Sequence, residues 1–173
     1  MEKYLKIFKY LWNLKRIENL LSSSWKKNIS NSNLNSSNFI RFKMLNFLKN
    51  LQFYFSFQVL DNFWNNFNLK LNEIFKNNYD LDLLIKIHED YIENVFKSLM
   101  IEKSEIQILI SKILNLIIQY LNFENSIFTS SSASASSIDS KIESNFNLIE
   151  KQFDILNDQL QNITKFKLSI DFR

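Results

Sequence analysis

Cysteine, glycine and proline are all absent from the 173 residues of this sequence. Without cysteine there is no disulfide framework, no thiolate zinc site and no cysteine nucleophile. Without glycine there is no glycine-rich loop to hold a phosphate group. Tight hairpins also lose the residues that they favour, so the composition favours helices joined by loose polar loops.

A strong excess of charge and a long apolar run are absent as well. The net charge is only +3, which does not by itself indicate a nucleic-acid partner, because such a partner requires basic residues clustered on one face. No stretch has about 18 uninterrupted apolar residues, so we predict no membrane span. The opening "MEKYLKIFKYLW" has an acid at position 2 and no small-residue cleavage site, and it therefore predicts a cytosolic protein without a signal peptide.

Apolar residues make up 46% of the sequence, and most of them recur at helical spacing. This pattern predicts an all-α, multi-helix bundle of about five helices. Asp80 is a predicted N-cap, and Ser104 with Gln107 is typical of a capping box. The fourth helix holds "ILISKILNLII", which is apolar on nearly every side and predicts a central position. The predicted helices cover about Lys3–Lys27, Phe39–Phe75, Asp80–Met100, Ser104–Phe123 and Ile138–Ile163.

Aromatic residues are concentrated in the first two predicted helices. In the first, Tyr4, Phe8 and Trp12 widen the apolar stripe. In the second, "MLNFLKNLQFYFSFQVLDNFW" keeps one apolar face as far as Phe55, and from Phe57 onward the apolar residues lie well round the helix. Such a helix must contact different neighbours at its two ends. We interpret these rings, including Trp64, as core filling.

The last part of the sequence changes pattern twice. The segment "TSSSASASS" (Thr129–Ser137) predicts a mobile, serine-rich linker. From Ile138 to Ile163 the apolar residues follow alternating steps of four and three, which predicts a helix with a continuous seam for a neighbour. The closing "KFKLSIDFR" alternates strictly from Phe166 to Phe172, which predicts a short strand-like tail.

Residues that could carry catalysis are few. His88 is the one histidine, and position 92, where a zinc-protease helix needs a second, is Ile. We predict a partly buried structural His88, no enzyme, no metal site and no cofactor, although a Ser–His–Asp triad stays open. Several cations of the first helix, such as Lys9 and Arg16, form a basic side that is either solvated or faces an acidic partner. The residues alone indicate a helical interaction module. A nucleic-acid-binding helical protein, a helical enzyme using His88 and a coiled-coil adaptor on Ile138–Ile163 stay open.

Four stretches together resemble the C-terminal Grip domain of γ-tubulin complex components. "YLKIFKYLWNLKRIENLLSSSW" is similar to the family's aromatic–Leu–Trp run, which Lys-Arg, Glu, Leu and a later Trp follow. "MLNFLKNLQFYFSFQVLDNFW" resembles the family's "M..F..NLQ.Y..F.V.E..W" helix, with Asp61 where an acid is usual. "DLDLLIKIHEDYIENVFKSLMI" resembles the family's segment of spaced Asp residues and a His, and "SIDF" its closing "RLDF". The resemblance spans about the second half of that domain, so residues 1–173 are interpreted as a partial C-terminal Grip domain with no counterpart of the N-terminal one.

The resemblance implies a scaffold that binds γ-tubulin and supports microtubule nucleation. It implies γ-tubulin and other complex components as partners, no nucleic acid or membrane as a partner, no catalysis and no cofactor, since GTP belongs to γ-tubulin. It also implies a location in the cytoplasm and cytoskeleton, at microtubule-organising centres or spindle poles. The polar residues that we assign to a γ-tubulin interface are Lys15, Arg16, Gln52, Asp171 and Arg173.

Overall fold

The chain is described by a computed structural model that covers residues 2–28, 35–76, 81–99, 104–130 and 136–168, and nearly all of these are helical. The elements are α1 (Glu2–Asn28), α2 (Asn35–Phe53), a π-helix (Tyr54–Asp61), α3 (Asn62–Lys76), α4 (Leu81–Ser98), α5 (Glu105–Ser130) and α6 (Ser136–Leu168). Because α2, the π-helix and α3 follow one another without a break, they correspond to the second predicted helix. The prediction of an all-α bundle of about five helices is confirmed.

The π-helix explains why the apolar face moves midway along this long helix. A π-turn takes up one more residue than an α-turn, so everything after it is rotated by roughly 100°. Phe55 and Val59 of the π-helix are buried, whereas Phe57 between them is exposed. The predicted change of face at Phe57 therefore falls inside the π-helix. Its effect is that α2 packs on α1 and α6, while α3 packs on α4.

Helix α5 supplies more buried core residues than any other described helix, although Ile108 and Ile118 on its outer side are exposed. The backbone N–H of Gln107 donates to Ser104 Oγ at 3.2 Å, so Ser104 caps the start of this helix. Its buried side chains pack with those of α1, α2 and α6. By length and composition, Glu105–Ile127 could cross a membrane, but half of that segment is buried inside the protein. The helix runs on to Ser130, beyond the predicted end near Phe123.

Helix α6 presents the predicted seam to the rest of the bundle. Phe146, Phe153 and Leu160 are buried in the core, and the seam residues between them pack against it. The rings of Phe47 and Phe153 meet edge to face with centroids 6.0 Å apart. Helix α6 thus closes the bundle over α2 and α5.

The α3–α4 hairpin (residues 62–76 and 81–91) is much less buried than the bundle formed by α1, α2, α5 and α6. Ile74 and Ile87 are its buried residues, and they lie outside the main core. Aromatic contacts join the two helices, since the Tyr91 ring lies 5.4 Å from that of Phe67 and 6.0 Å from that of Trp64. The second half of α4 returns to the main core through residues such as Val95.

Three aromatic residues expected in the core are on the surface. Trp12, Phe57 and Trp64 are 54%, 59% and 48% exposed. They do lie at helical spacing with apolar neighbours, but the side of each helix that carries them faces solvent in this chain. The prediction that His88 is partly buried is also wrong, because His88 is exposed beside the Phe67 ring.

The predicted strand-like tail is wrong for its first part, because α6 continues through Leu168. The backbone hydrogen bonds of a helix need no partner strand, which an isolated strand would require. The rest of the tail, residues 169–173, lies outside the described residues, as do residues 131–135 of the predicted serine-rich linker. The two ends of that linker belong to α5 and α6.

Candidate interaction surface

Two of the residues assigned to the γ-tubulin interface meet around a third side chain, Glu18. Lys15 Nζ donates to Glu18 Oε2 at 2.6 Å within α1. Gln52 reaches Glu18 from α2, and its Nε2 atom is buried and makes no direct hydrogen bond among the described residues. Burial raises the pKa of Glu18, but the hydrogen bond from Lys15, the Gln52 amide and the charge of Lys49 outweigh it and lower that pKa. Glu18 is therefore a carboxylate held between α1 and α2.

Arg16 lies on the outer side of α1, away from Glu18. Its guanidinium carbon is 5.6 Å from the centroid of the Trp12 ring, one helical turn earlier. This distance is typical of a cation–π contact, which orders both side chains on the surface. The two remaining interface candidates, Asp171 and Arg173, lie outside the described residues. The structure thus brings Lys15 and Gln52 together and places Arg16 on an adjoining face.

Exposed aromatic side chains form a row along the same side of α1. Tyr4, Phe8 and Trp12 follow one another at spacing i, i+4, i+8, and each is more than half exposed. Leu5 is exposed beside them. We call Tyr4, Leu5, Phe8 and Trp12 the α1 aromatic row.

A buried ion pair that the sequence analysis missed joins α2 to α5. Arg41 donates through Nη2 to Glu124 Oε1, and both residues are 1% exposed. Ser37 Oγ donates to the same carboxylate at 3.2 Å, and the Tyr120 hydroxyl lies 3.1 Å from it. Burial, together with the charge of Glu124, raises the pKa of Tyr120, so this phenol stays protonated.

A sequence signal for this pair does exist. Arg41 lies three residues before Met44, on the buried stripe of α2, and Glu124 lies four residues after Tyr120, on the buried stripe of α5. Two opposite charges on two buried stripes indicate a buried pair, since an unpaired buried charge is too costly. Its role is to hold α2 against α5.

A second ion pair joins α2 to α6 at the edge of a shallow groove. Lys43 Nζ donates to Glu150 at 2.7 Å and to Asp154 at 2.9 Å. The groove, of about 210 Å³, is lined by polar side chains such as Asn46 and Asn157 and by the rings of Phe47 and Phe153. Lys43 also lies 4.9 Å from the Phe39 ring centroid. Since its cation already has two carboxylate partners, we interpret Lys43 as a link between helices.

Metal chemistry has little support in the described part of the chain, where no three His, Cys, Asp or Glu side chains group closely enough to hold an ion. His88 contacts the Phe67 ring at 6.2 Å between centroids. The arrangement that the residues do form, paired charges beside exposed rings on a rigid helical core, is suited to contact with another macromolecule. The class that fold and surface define is therefore an all-α interaction domain.

Comparison with known proteins assigns this domain to a family. Residues 1–168 match the family model described as "Gamma tubulin complex component C-terminal". Because the match covers nearly the whole sequence, the chain belongs to the γ-tubulin complex component family. The family resemblance is thereby confirmed, and three of the four stretches that carry it lie inside the matched residues, whereas "SIDF" at residues 169–172 lies beyond them.

Curated relatives have consistent names. The chain is 27% identical to "Spindle pole body component 98" of Dictyostelium discoideum in an alignment of 177 positions, which covers 93% of this chain and 21% of that protein. It is 31% identical to "Gamma-tubulin complex component 3" of Arabidopsis thaliana in an alignment of 126 positions, which covers 61% of this chain and 14% of that protein. It is 33% identical to "Spindle pole body component alp6" of Schizosaccharomyces pombe in an alignment of 105 positions, which covers 54% of this chain and 12% of that protein. The chain therefore matches about a fifth or less of the length of these relatives.

Proposed function

We propose that this chain is a γ-tubulin-binding scaffold element of the γ-tubulin complex and supports microtubule nucleation without catalysing a reaction or holding a cofactor. The observation that carries the proposal is the family match over residues 1–168. Two of the relatives named above are spindle pole body components, which supports a location at microtubule-organising centres in the cytoplasm. We further propose that residues 1–173 correspond to part of a C-terminal Grip domain and that other complex components are partners.

The proposed γ-tubulin contact uses the polar surface around Lys15, Arg16 and Gln52, together with Asp171 and Arg173. Lys15 and Arg16 are exposed, so their charges are available to an acidic partner. The alternative is that these charged residues pair with one another inside the domain and not with a partner. It holds for Lys15, which contacts Glu18. An exposed pair of this kind contributes only about 0–1 kcal/mol to folding. A partner can therefore compete for Lys15 at little cost to the domain.

Two alternative functions have weaker support. The seam Ile138–Ile163 was a candidate for a coiled-coil adaptor, but its Phe146, Phe153 and Leu160 are buried in the core of this chain. Among the basic residues of α1, Lys3 and Lys6 already contact Glu93 and Glu2. These pairs are exposed and weak, so they reduce the support for nucleic acid binding only slightly, and the mild net charge of +3 reduces it further.

The decisive experiment is capture of purified γ-tubulin by the chain and by the variant Lys15→Glu with Arg16→Glu. We expect the variant to keep its melting temperature within a few degrees and to capture less γ-tubulin, and we expect added salt to weaken capture by the parent. The matched control is Lys70→Glu with Lys86→Glu, which makes the same charge change at exposed positions on the α3–α4 hairpin. Equal capture by the parent and the α1 variant rejects these residues as the contact. No capture by the parent, even within a complete γ-tubulin complex component, rejects the function.

A further inference from the structure

The α1 aromatic row has the geometry of a docking surface. Tyr4, Phe8 and Trp12 are 56%, 56% and 54% exposed. Their spacing of four residues aligns the three rings along about 12 Å of the helix. An exposed row of large rings on a folded domain costs solubility unless a partner covers it. Aromatic side chains also lose little conformational freedom on binding, which makes them effective anchors.

Positive charge predominates beside the row. Arg16 lies over the Trp12 ring, and Lys9 is exposed one residue after Phe8. The two carboxylates of α1 are both neutralised by lysines, Glu2 by Lys6 and Glu18 by Lys15. A partner that covers the row therefore meets rings and positive charge.

We propose that the α1 aromatic row, with Lys9 and Arg16, binds an amphipathic helix of a partner protein whose apolar strip is bordered by carboxylates. A helix places apolar side chains at intervals of three and four residues, so its strip can lie along the row, and its flanking carboxylates can reach the two cations. The inference goes beyond the proposed function, because it specifies the chemistry of a partner and holds whether or not that partner is γ-tubulin.

Charge argues against two other occupants. A second copy of this chain, packed about a two-fold axis, brings the Lys9 and Arg16 side of α1 against itself, and like charges in such a contact repel. A nucleic acid duplex carries no apolar strip, and the rings occupy the middle of the surface that its phosphates need. An acidic amphipathic helix can pack its apolar strip on the rings and pair its carboxylates with the two cations.

The test uses a fluorescent synthetic helix of about 20 residues that has a leucine strip bordered by glutamates, measured by anisotropy against the whole chain. We expect saturable binding that falls by roughly tenfold or more in Phe8→Ala with Trp12→Ala. We expect Lys9→Glu with Arg16→Glu to weaken binding of this helix and to strengthen binding of a matched helix whose glutamates are lysines. Circular dichroism checks that each variant remains folded.

The matched control is Phe53→Ala with Phe57→Ala, which removes another exposed aromatic pair, with ring centroids 4.7 Å apart, from the π-helix region. This control should bind the acidic helix as the parent does. Equal binding of the acidic and basic helices, or binding that the α1 variants leave unchanged, contradicts the proposal. If the chain binds duplex DNA more tightly than the acidic helix, and the same variants abolish DNA binding, the partner is a nucleic acid and the proposal is overturned. If the chain self-associates and Trp12→Ala abolishes this, the partner is a second copy of the chain, which also overturns the proposal.

Discussion

The bundle of α1, α2, α5 and α6 and the α3–α4 hairpin use the same kinds of residue in different ways. In the bundle, aromatic and aliphatic side chains interdigitate around a buried Arg41–Glu124 pair. In the hairpin, Trp64 and Tyr91 contact each other at the surface, and little apart from Ile74 and Ile87 is fully covered. Since buried area and satisfied polar groups determine local stability, we expect the bundle to unfold last and the hairpin to open first.

The largest effect is expected from removing one partner of the buried pair. Glu124→Ala leaves the Arg41 guanidinium buried without its carboxylate, which costs about 3–5 kcal/mol. Urea unfolding followed by circular dichroism measures this loss. Arg41→Met with Glu124→Leu replaces both charges by apolar groups and should recover most of the stability, and a double variant as unstable as the single one contradicts the explanation.

A core truncation in the bundle should exceed the equivalent truncation in the hairpin. Leu48 is fully buried, so Leu48→Ala should cost about 2–5 kcal/mol through lost contacts and a cavity. Ile87 lies in the less buried contact between α3 and α4. The cost of Ile87→Ala should therefore be at or below the lower end of that range, because water can fill the space that the side chain leaves. The comparison uses global unfolding free energies, and a larger cost for Ile87→Ala reverses our assignment of the core.

A truncation on the hairpin surface should act locally. Trp64→Ala removes the ring contacts with Phe67 and Tyr91, which are worth about 1 kcal/mol. Native-state hydrogen exchange should speed up in residues 62–91 and stay unchanged in α5. Faster exchange throughout the bundle indicates that Trp64 supports the main core after all.

The smallest effect concerns pH. Because the folded-state pKa of Glu18 is lowered, its carboxylate contributes stability above its unfolded pKa of about 4.3, and this contribution is lost as the pH falls through the folded value. The melting temperature of the parent should exceed that of Glu18→Gln at pH 7, and the difference should shrink only below about pH 4.3. Glu89→Gln on the hairpin is the control. A difference that stays constant down to pH 3 excludes this role of the Glu18 charge.

Much of the bundle follows from the sequence, because its signals are local. The seam of α6, the cap at Ser104 and the change of face at Phe57 are all visible in short windows. Whether an apolar face has a neighbour depends on distant residues, and for this reason the exposure of Trp12 and Trp64 escaped prediction. The Arg41–Glu124 pair joins residues 83 positions apart, so the sequence can place each charge on a buried stripe, and the fold is needed to show which partner each one meets.

The same limit applies to the candidate surface. Lys15, Arg16 and Gln52 lie at positions that match the family's pattern, and periodicity can place each of them on a helix. It could not show that the buried Gln52 amide lies near the Glu18 carboxylate that Lys15 contacts, since this proximity depends on how α1 and α2 pack. Nor could it show that the Arg16 guanidinium lies over the Trp12 ring rather than in solvent.

The π-helix has a consequence for sequence comparison within the family. It takes up one residue more than an α-helix of the same length would, so a homologue with a regular α-helix between Leu51 and Asn62 should carry one residue fewer there. The family pattern "M..F..NLQ.Y..F.V.E..W" fits Met44–Trp64 without a gap, so relatives that keep this pattern should keep the extra residue as well. The spacing of an ordinary sequence motif therefore predicts which relatives share the π-helix.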